Sequence, residues 1–182
     1  MAEISRRLHL VIPIQLTKST LYAHITPIDT TTFDTFFLPI AKTFSRIYTE
    51  GLGIVAGPRV ASKLLKLVAE DLGTWEQVRS GLVAEIRRLT NILCLETAGW
   101  KLYPFEDAVR NKIIDAEDAS EVENAAVFFT LISHMHKRNE RELIMTPVAA
   151  LWGARVELLN CTEYQSSLPT STSVESIGKK TA

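Results

Sequence analysis

Apolar side chains recur every three or four residues through most of the chain after residue 30, which is the spacing that one face of an α-helix requires. The clearest stripe follows three threonines that can cap a helix, and Pro39 interrupts it, so we expect a kink or a fresh start there. The stripe consists of Phe33, Phe36, Phe37, Ile40, Ala41, Phe44, Ile47 and Tyr48. This pattern predicts a mainly helical body.

Prolines, glycines and capping residues divide the rest of that body into further helices. A loop at 51–57 is followed by a helix that Pro58 opens and by a helix capped at Thr74, whose apolar stripe runs to Leu93. A loop or short extended piece at 97–103 then precedes a short helix from Pro104 and a helix capped by Asp115. The last helical stretch, 140–159, breaks or restarts at Pro147.

The first 28 residues have the pattern of strands. Residues 8–14 are aliphatic and β-branched, 17–20 form a polar turn, and 21–26 alternate apolar and polar side chains before Pro27. A β-hairpin is predicted, with Pro13 at an edge or near a strand end. Because a lone hairpin is marginal in water, we expect it to pack on the helices or to pair with another chain.

The C-terminus is too polar to join a core. Nine of the 21 residues from Thr162 to Ala182 are serine or threonine, and such a composition buries too little apolar surface to offset the entropy of ordering it. The predicted fold is therefore mainly α (α+β): one globular domain at 1–160, in which a hairpin (1–28) packs on a bundle of about five to six helices (30–160). A disordered, flexible Ser/Thr-rich tail is predicted at 161–182.

Charge and cysteine content exclude several classes of protein. Twenty lysines and arginines face 21 aspartates and glutamates, so the chain lacks the basic excess typical of nucleic-acid binding. The apolar run at 8–14 is too short to span a membrane. Cys94 and Cys161 form no paired spacing, which favours a reducing compartment. We expect a soluble cytoplasmic protein that binds neither nucleic acid nor membrane.

No local motif for catalysis or cofactor binding is present in the sequence. The glycines at 51–57 follow a predicted helix and lack the spacing of a phosphate loop. His134 and His136 point to nearly opposite faces of a predicted helix, so they cannot share one metal ion without other ligands. We therefore expect no catalytic, cofactor or metal residues and no enzymatic activity. A small enzyme with a site built from scattered residues stays an alternative.

The aromatic stripe is richer than a small core needs. Core packing is the simpler interpretation. The alternative is that part of the stripe forms a groove for an extended or helical partner. The candidate groove residues are Phe36, Phe37, Ile40, Phe44 and Tyr48.

Three stretches carry a resemblance that spans most of the chain. They are residues 43–61 (TFSRIYTEGLGIVAGPRVA), 85–91 (EIRRLTN) and 159–172 (LNCTEYQSSLPTST). On these residues the chain resembles the tail assembly chaperones of long-tailed, siphovirus-like bacteriophages. The resemblance implies a non-enzymatic protein of the host cell cytoplasm that is absent from the mature virion. Its partner would be the tape measure protein, which it keeps soluble, and the oligomeric state stays open.

The resemblance also implies a second, longer product made by a −1 ribosomal frameshift, whose extension recruits the major tail protein. Gly178, Lys179 and Lys180 can be encoded as GGA AAA AAG, which contains a slippery heptamer. The alternative is that a short Gly-Lys-Lys occurs by chance in a solvated terminus. A structural virion component, such as a tail or head-tail connector subunit whose hairpin pairs between copies, is the second functional hypothesis.

Overall fold

A computed structural model describes residues 7–15 and 20–169, and within them a mixed α+β architecture. The strands are β1 (His9–Gln15), β2 (Thr20–Ile25), β3 (Thr90–Glu96), β4 (Gly99–Pro104) and β5 (Arg155–Glu157). The helices are α1 (Thr30–Thr35), α2 (Phe37–Thr49), α3 (Gly53–Asp71), α4 (Trp75–Val78), α5 (Ala84–Arg88), α6 (Phe105–Arg110), α7 (Ala116–Met135), α8 (Arg138–Ala150) and α9 (Cys161–Ser167), with a π-helical turn, Arg79–Val83, joining α4 to α5. The predicted mainly α (α+β) class is confirmed as a mixture of helices and strands.

The strands form one antiparallel sheet in the order β4-β3-β2-β1-β5. The predicted hairpin is confirmed: β1 and β2 pair with Leu10 opposite Ile25 and Ile14 opposite Leu21. It is not an isolated hairpin packed on helices, because β3 extends the sheet beside β2 and β5 extends it beside β1. That residues 1–160 form a single domain stays a prediction.

Two predicted helical stretches contain strands instead. The apolar stripe that predicted one helix as far as Leu93 extends into β3, and the predicted helical stretch at 140–159 contains β5. Thr90–Glu96 is a short apolar run with β-branched residues, a pattern that fits a helix or a strand, and pairing with β2 decides it. Gly153, at φ +68°, ends the turn after α8, and β5 follows.

Helices cover one face of the sheet, and within residues 7–15 and 20–169 α9 is the helix that packs on the other. Side chains that alternate along the hairpin, such as Ile14 and Ala23, join the core formed by α6 and α7. The opposite set packs against α9. The larger core lies among α2, α3 and α7, where Ile47, Leu65, Phe128 and Phe129 are buried. The sheet therefore has a helical side and a side that depends on the C-terminal segment.

The prediction of a flexible tail from Cys161 onward is wrong for residues 161–169. Asn160 caps α9 in a capping box with Glu163, and Tyr164 and Leu168, one turn apart, are only 2% and 9% exposed. Two well-placed anchors are enough to order a short segment on an existing surface, which an average over composition does not detect. Residues 170–182, including the candidate frameshift-encoded Gly178, Lys179 and Lys180, lie outside the described residues.

Helix α3 begins five residues before the predicted start at Pro58. Pro58 lies inside the helix, where its missing N–H leaves the Ile54 carbonyl without its usual partner. The indole Nε1–H of Trp152 donates to that oxygen over 3.1 Å. This tertiary hydrogen bond satisfies the freed carbonyl, so the proline is tolerated and the glycine-rich stretch becomes the first turns of the helix. Pro39, in turn, lies in the first turn of α2, two residues after that helix begins.

Replacing Gly57 with valine is expected to lower the free energy of unfolding by about 2–3 kcal/mol, because it overpacks the core. A Cβ at this position would lie 2.6 Å from Cε2 of Phe128 and 3.0 Å from Cγ2 of Ile47, and both side chains are fully buried. Urea unfolding measures the loss. The matched control, Lys63→Val, places valine at an exposed position of the same helix and should cost less than about 1 kcal/mol. Equal losses in the two variants would contradict tight α3–α7 packing at Gly57.

Candidate functional site

The five candidate groove residues do not share one surface. Ile40 is fully buried in the core, so its inclusion in a partner groove is wrong for this conformation. Phe36 is half-buried, and its ring sits against Gly81 in the π-helical turn, where a Cβ would collide with it. Phe37 and Tyr48 are 51% and 43% exposed, and Phe44 is half-buried. Periodicity placed all five on one helix face, and packing divides them.

Two pairs of aromatic side chains in α1 and α2, Phe33 with Phe37 and Phe44 with Tyr48, are here called the aromatic ridge. Phe37 and Tyr48 are exposed, whereas Phe33 and Phe44 are half-buried against the large core. The rings of Phe33 and Phe37 meet edge to face with centroids 5.8 Å apart. Those of Phe44 and Tyr48 are 4.9 Å apart. Contacts of this kind orient the rings relative to one another. The ridge therefore presents a semi-rigid apolar surface to solvent.

Two histidines from the end of α7 border the ridge. The ring of His134 stacks on Phe33 at 4.9 Å, and that of His136 meets Phe44 edge to face at 6.4 Å. The ring nitrogens of His134 lie 3.0 Å from the Thr130 carbonyl oxygen and 3.2 Å from that of Ile28. Burial lowers the pKa of His134, and the hydrogen bonds to the Thr130 and Ile28 carbonyls oppose that lowering. The contacts of these two histidines are aromatic rings, backbone carbonyls and, for His134, the Ser133 hydroxyl.

A second cluster lies under α9, on the face of the sheet opposite the large core. The rings of His9 and His24, on neighbouring strands, are 4.9 Å apart, and the Tyr164 ring is 5.7 Å from that of His24. Nε2 of His24 lies 3.1 Å from the Leu159 carbonyl oxygen, and its Nδ1 is buried without a partner among the described residues. The guanidinium of Arg155 donates to the Tyr164 hydroxyl.

Burial governs the charge of this histidine pair. It lowers the pKa of His9 to about 4, with a further lowering from the neighbouring His24, and it lowers the pKa of His24 as well. Both rings are therefore neutral at pH 7. Both histidines lie within the predicted hairpin, and the register that sets Val11 opposite His24 puts them on one face of the sheet. Period-two alternation was the signal that could have paired them.

Grouped metal ligands and activated thiols are both absent from the described residues. No group of three or more histidine, cysteine, aspartate or glutamate side chains is placed to hold a metal ion among residues 7–15 and 20–169. Burial raises the pKa of the Cys94 thiol and raises that of Cys161 to about 11, so neither is a ready thiolate at pH 7. Within the same ranges no helix combines the length and the apolar character needed to cross a bilayer.

Comparisons of the chain with family models, with curated proteins and with solved structures find no match. Of the predicted groove residues, Phe37 and Tyr48 are exposed and Phe44 is half-buried, and these three belong to the aromatic ridge.

Proposed function

We propose that this protein is a tail assembly chaperone of the kind found in long-tailed bacteriophages, and that it binds a tape measure protein and keeps it soluble before assembly. The aromatic ridge carries this proposal. Phe37 and Tyr48 expose large apolar areas to water, and the neighbouring Leu38 is 53% exposed. Clustered exposed apolar side chains are typical of surfaces that bind other proteins.

The chemistry of the ridge suits a helical, apolar partner. Long helices with unprotected apolar stripes aggregate, and a row of aromatic rings offers such a stripe a complementary surface. Aromatic residues contribute much of the binding energy at protein interfaces because they bury large areas at a low cost in side-chain entropy. In this proposal the chain works by binding alone, in the cytoplasm of the host cell. Recruitment of the major tail protein belongs to the longer, frameshifted product.

Co-expression with a long helical protein encoded beside this gene tests the proposal. We expect that protein to be soluble with the wild-type chain and to aggregate without it. The double variant Phe37→Asp, Tyr48→Asp should lower the soluble amount at least about tenfold, because it puts two charges into the interface. Leu67→Asp, at a 46% exposed position of α3 outside the ridge, is the matched control and should retain the activity. Solubility that is independent of the chain, or equal loss in control and double variant, would sink the proposal.

One observation favours the alternative of a structural virion component. Strand β5 pairs with β1 only at His9–Val11, so the outer side of β1 from Ile12 onward has no neighbouring strand in the described part of the chain. Exposed strand edges can pair between copies, although Pro13 lacks an N–H to donate there. Mass spectrometry of washed particles separates the hypotheses: a chaperone is absent, whereas a structural subunit is abundant.

A further inference from the structure

A cleft of about 570 Å³ opens between α3, α7 and the turn that follows α8. This volume lies within the range of sites that bind small molecules or single side chains of a partner. The residues that matter in it are Val55 and Arg59 from α3, Glu117 and Glu121 from α7, and Leu151 and Trp152 from the turn. None of them belongs to the aromatic ridge.

One wall of this cleft is apolar and held in place. The indole N–H of Trp152 donates to the Ile54 carbonyl oxygen. The indole ring meets the ring of buried Phe128 edge to face, with centroids 5.1 Å apart. The indole is thus fixed by two contacts and needs no polar partner from a ligand. Val55 and Leu151, at the rim, are 71% and 60% exposed. These side chains would gain from being covered.

The other wall is acidic. Glu117 and Glu121 lie one turn apart on α7, both exposed, with Arg59 as the only basic side chain lining the described cleft. Among the ion pairs of residues 7–15 and 20–169, none involves these three residues. The helix dipole accounts for Glu117 in the first turn, but its effect falls off before Glu121. The excess of negative charge beside an apolar wall is what a basic, amphipathic ligand complements.

We infer that this cleft is a docking site for a helix of a partner protein that presents a bulky aliphatic side chain to Trp152 and a lysine or arginine, one turn away, to Glu117 and Glu121. Residues three or four apart project from the same face of a helix, so a single turn supplies both groups. The aliphatic side chain covers Val55 and Leu151, and the cation neutralises the paired carboxylates. The site goes beyond the proposed chaperone activity, since it uses a different surface and a different charge.

An alanine-based helical peptide of about 15 residues, with leucine and lysine one turn apart, serves as the probe. The full chain has three tryptophans, and their indole N–H resonances report separately on Trp75, Trp100 and Trp152. We expect the peptide to shift the Trp152 resonance saturably and to leave the other two in place. A peptide with alanine in place of leucine should lose most of this effect.

Charge exchange supplies the decisive comparison. The double variant Glu117→Lys, Glu121→Lys should bind the lysine peptide at least about tenfold more weakly and prefer a peptide with glutamate at that position. Asp34→Lys, an exposed carboxylate outside the cleft, is the matched control and should bind like wild type. Three results would overturn the inference: no saturable shift of Trp152, unchanged preference after charge exchange, or a Trp152 shift that depends on protein concentration alone, which would assign the cleft to a second copy of the chain.

Discussion

The variant Tyr164→Ala is expected to unfold with a free energy about 3 kcal/mol lower than that of wild type, the usual cost of truncating a buried aromatic side chain. Tyr164 is 2% exposed, and it packs with Val11 and Leu93 on the face of the sheet that α9 covers. Its loss removes the main anchor of α9 and the hydroxyl to which Arg155 donates. Urea unfolding, followed by circular dichroism, measures the change.

The free energy lost in Tyr164→Ala has an upper bound if α9 alone detaches from the sheet. If α9 detaches as a unit, the cost cannot exceed the free energy of docking that segment. Amide exchange should then accelerate in α9, and so should exchange of the Trp100 indole N–H, which donates to the Pro169 carbonyl oxygen. Ser166→Ala, an exposed position of the same helix, should stay within about 0.5 kcal/mol of wild type. A Tyr164→Ala variant as stable as this control would show that α9 does not cover the sheet.

Acidification is expected to destabilise the protein between pH 6.5 and pH 4 through the buried histidine pair. The pKa of His9 is about 4 in the folded chain and about 6.5 in the unfolded chain, so in this range the unfolded state binds a proton that the folded state does not. Stability from this group is present above pH 6.5, falls as the pH drops, and levels off below pH 4. The loss at pH 4.5 is on the order of 2 kcal/mol.

The charged neighbours only partly oppose this effect. Arg7 lowers the pKa of His9 further, while Glu163 of α9 raises it, and Glu157 of β5 raises that of His24. Comparing urea unfolding at pH 7.5 and pH 4.5 isolates the contribution of the pair: His9→Gln should lose less stability between the two values than wild type does. His136→Gln, which removes a half-exposed histidine, is the control and should retain the wild-type difference. An equal difference in all three proteins would contradict a buried neutral His9.

Local interactions decide the elements that could be predicted correctly from the sequence. Asp115 caps α7 by accepting from the backbone N–H groups of Glu117 and Asp118, and α6 begins directly after Pro104, both as predicted. The hairpin was visible because two alternating segments flank a short polar turn. In each case the residues that decide the structure lie within about two turns or one hairpin of each other.

The candidate site was only partly accessible from the sequence. The stripe from Phe33 to Tyr48 correctly marked α2 as amphipathic, but periodicity does not show which residues of the stripe are buried in the core. Ile40 is buried and Phe37 is exposed, because α3 and α7 cover only part of the stripe. The acidic cleft left no trace in the pattern, since α3, α7 and the turn after α8 are far apart along the chain.

The sequence by itself determined the mixture of helices and strands, the hairpin, and several helix starts, since periodicity, capping and proline placement act between near neighbours. Only the tertiary structure decided that β3, β4 and β5 complete a sheet around that hairpin and that α9 covers its back. It also placed the Trp152 indole where its N–H donates to the Ile54 carbonyl oxygen, so that α3 continues past Pro58. Strand pairing, burial and tertiary hydrogen bonds depend on partners up to 135 residues away, as between His24 and Leu159. No local sequence pattern specifies which residue the partner is.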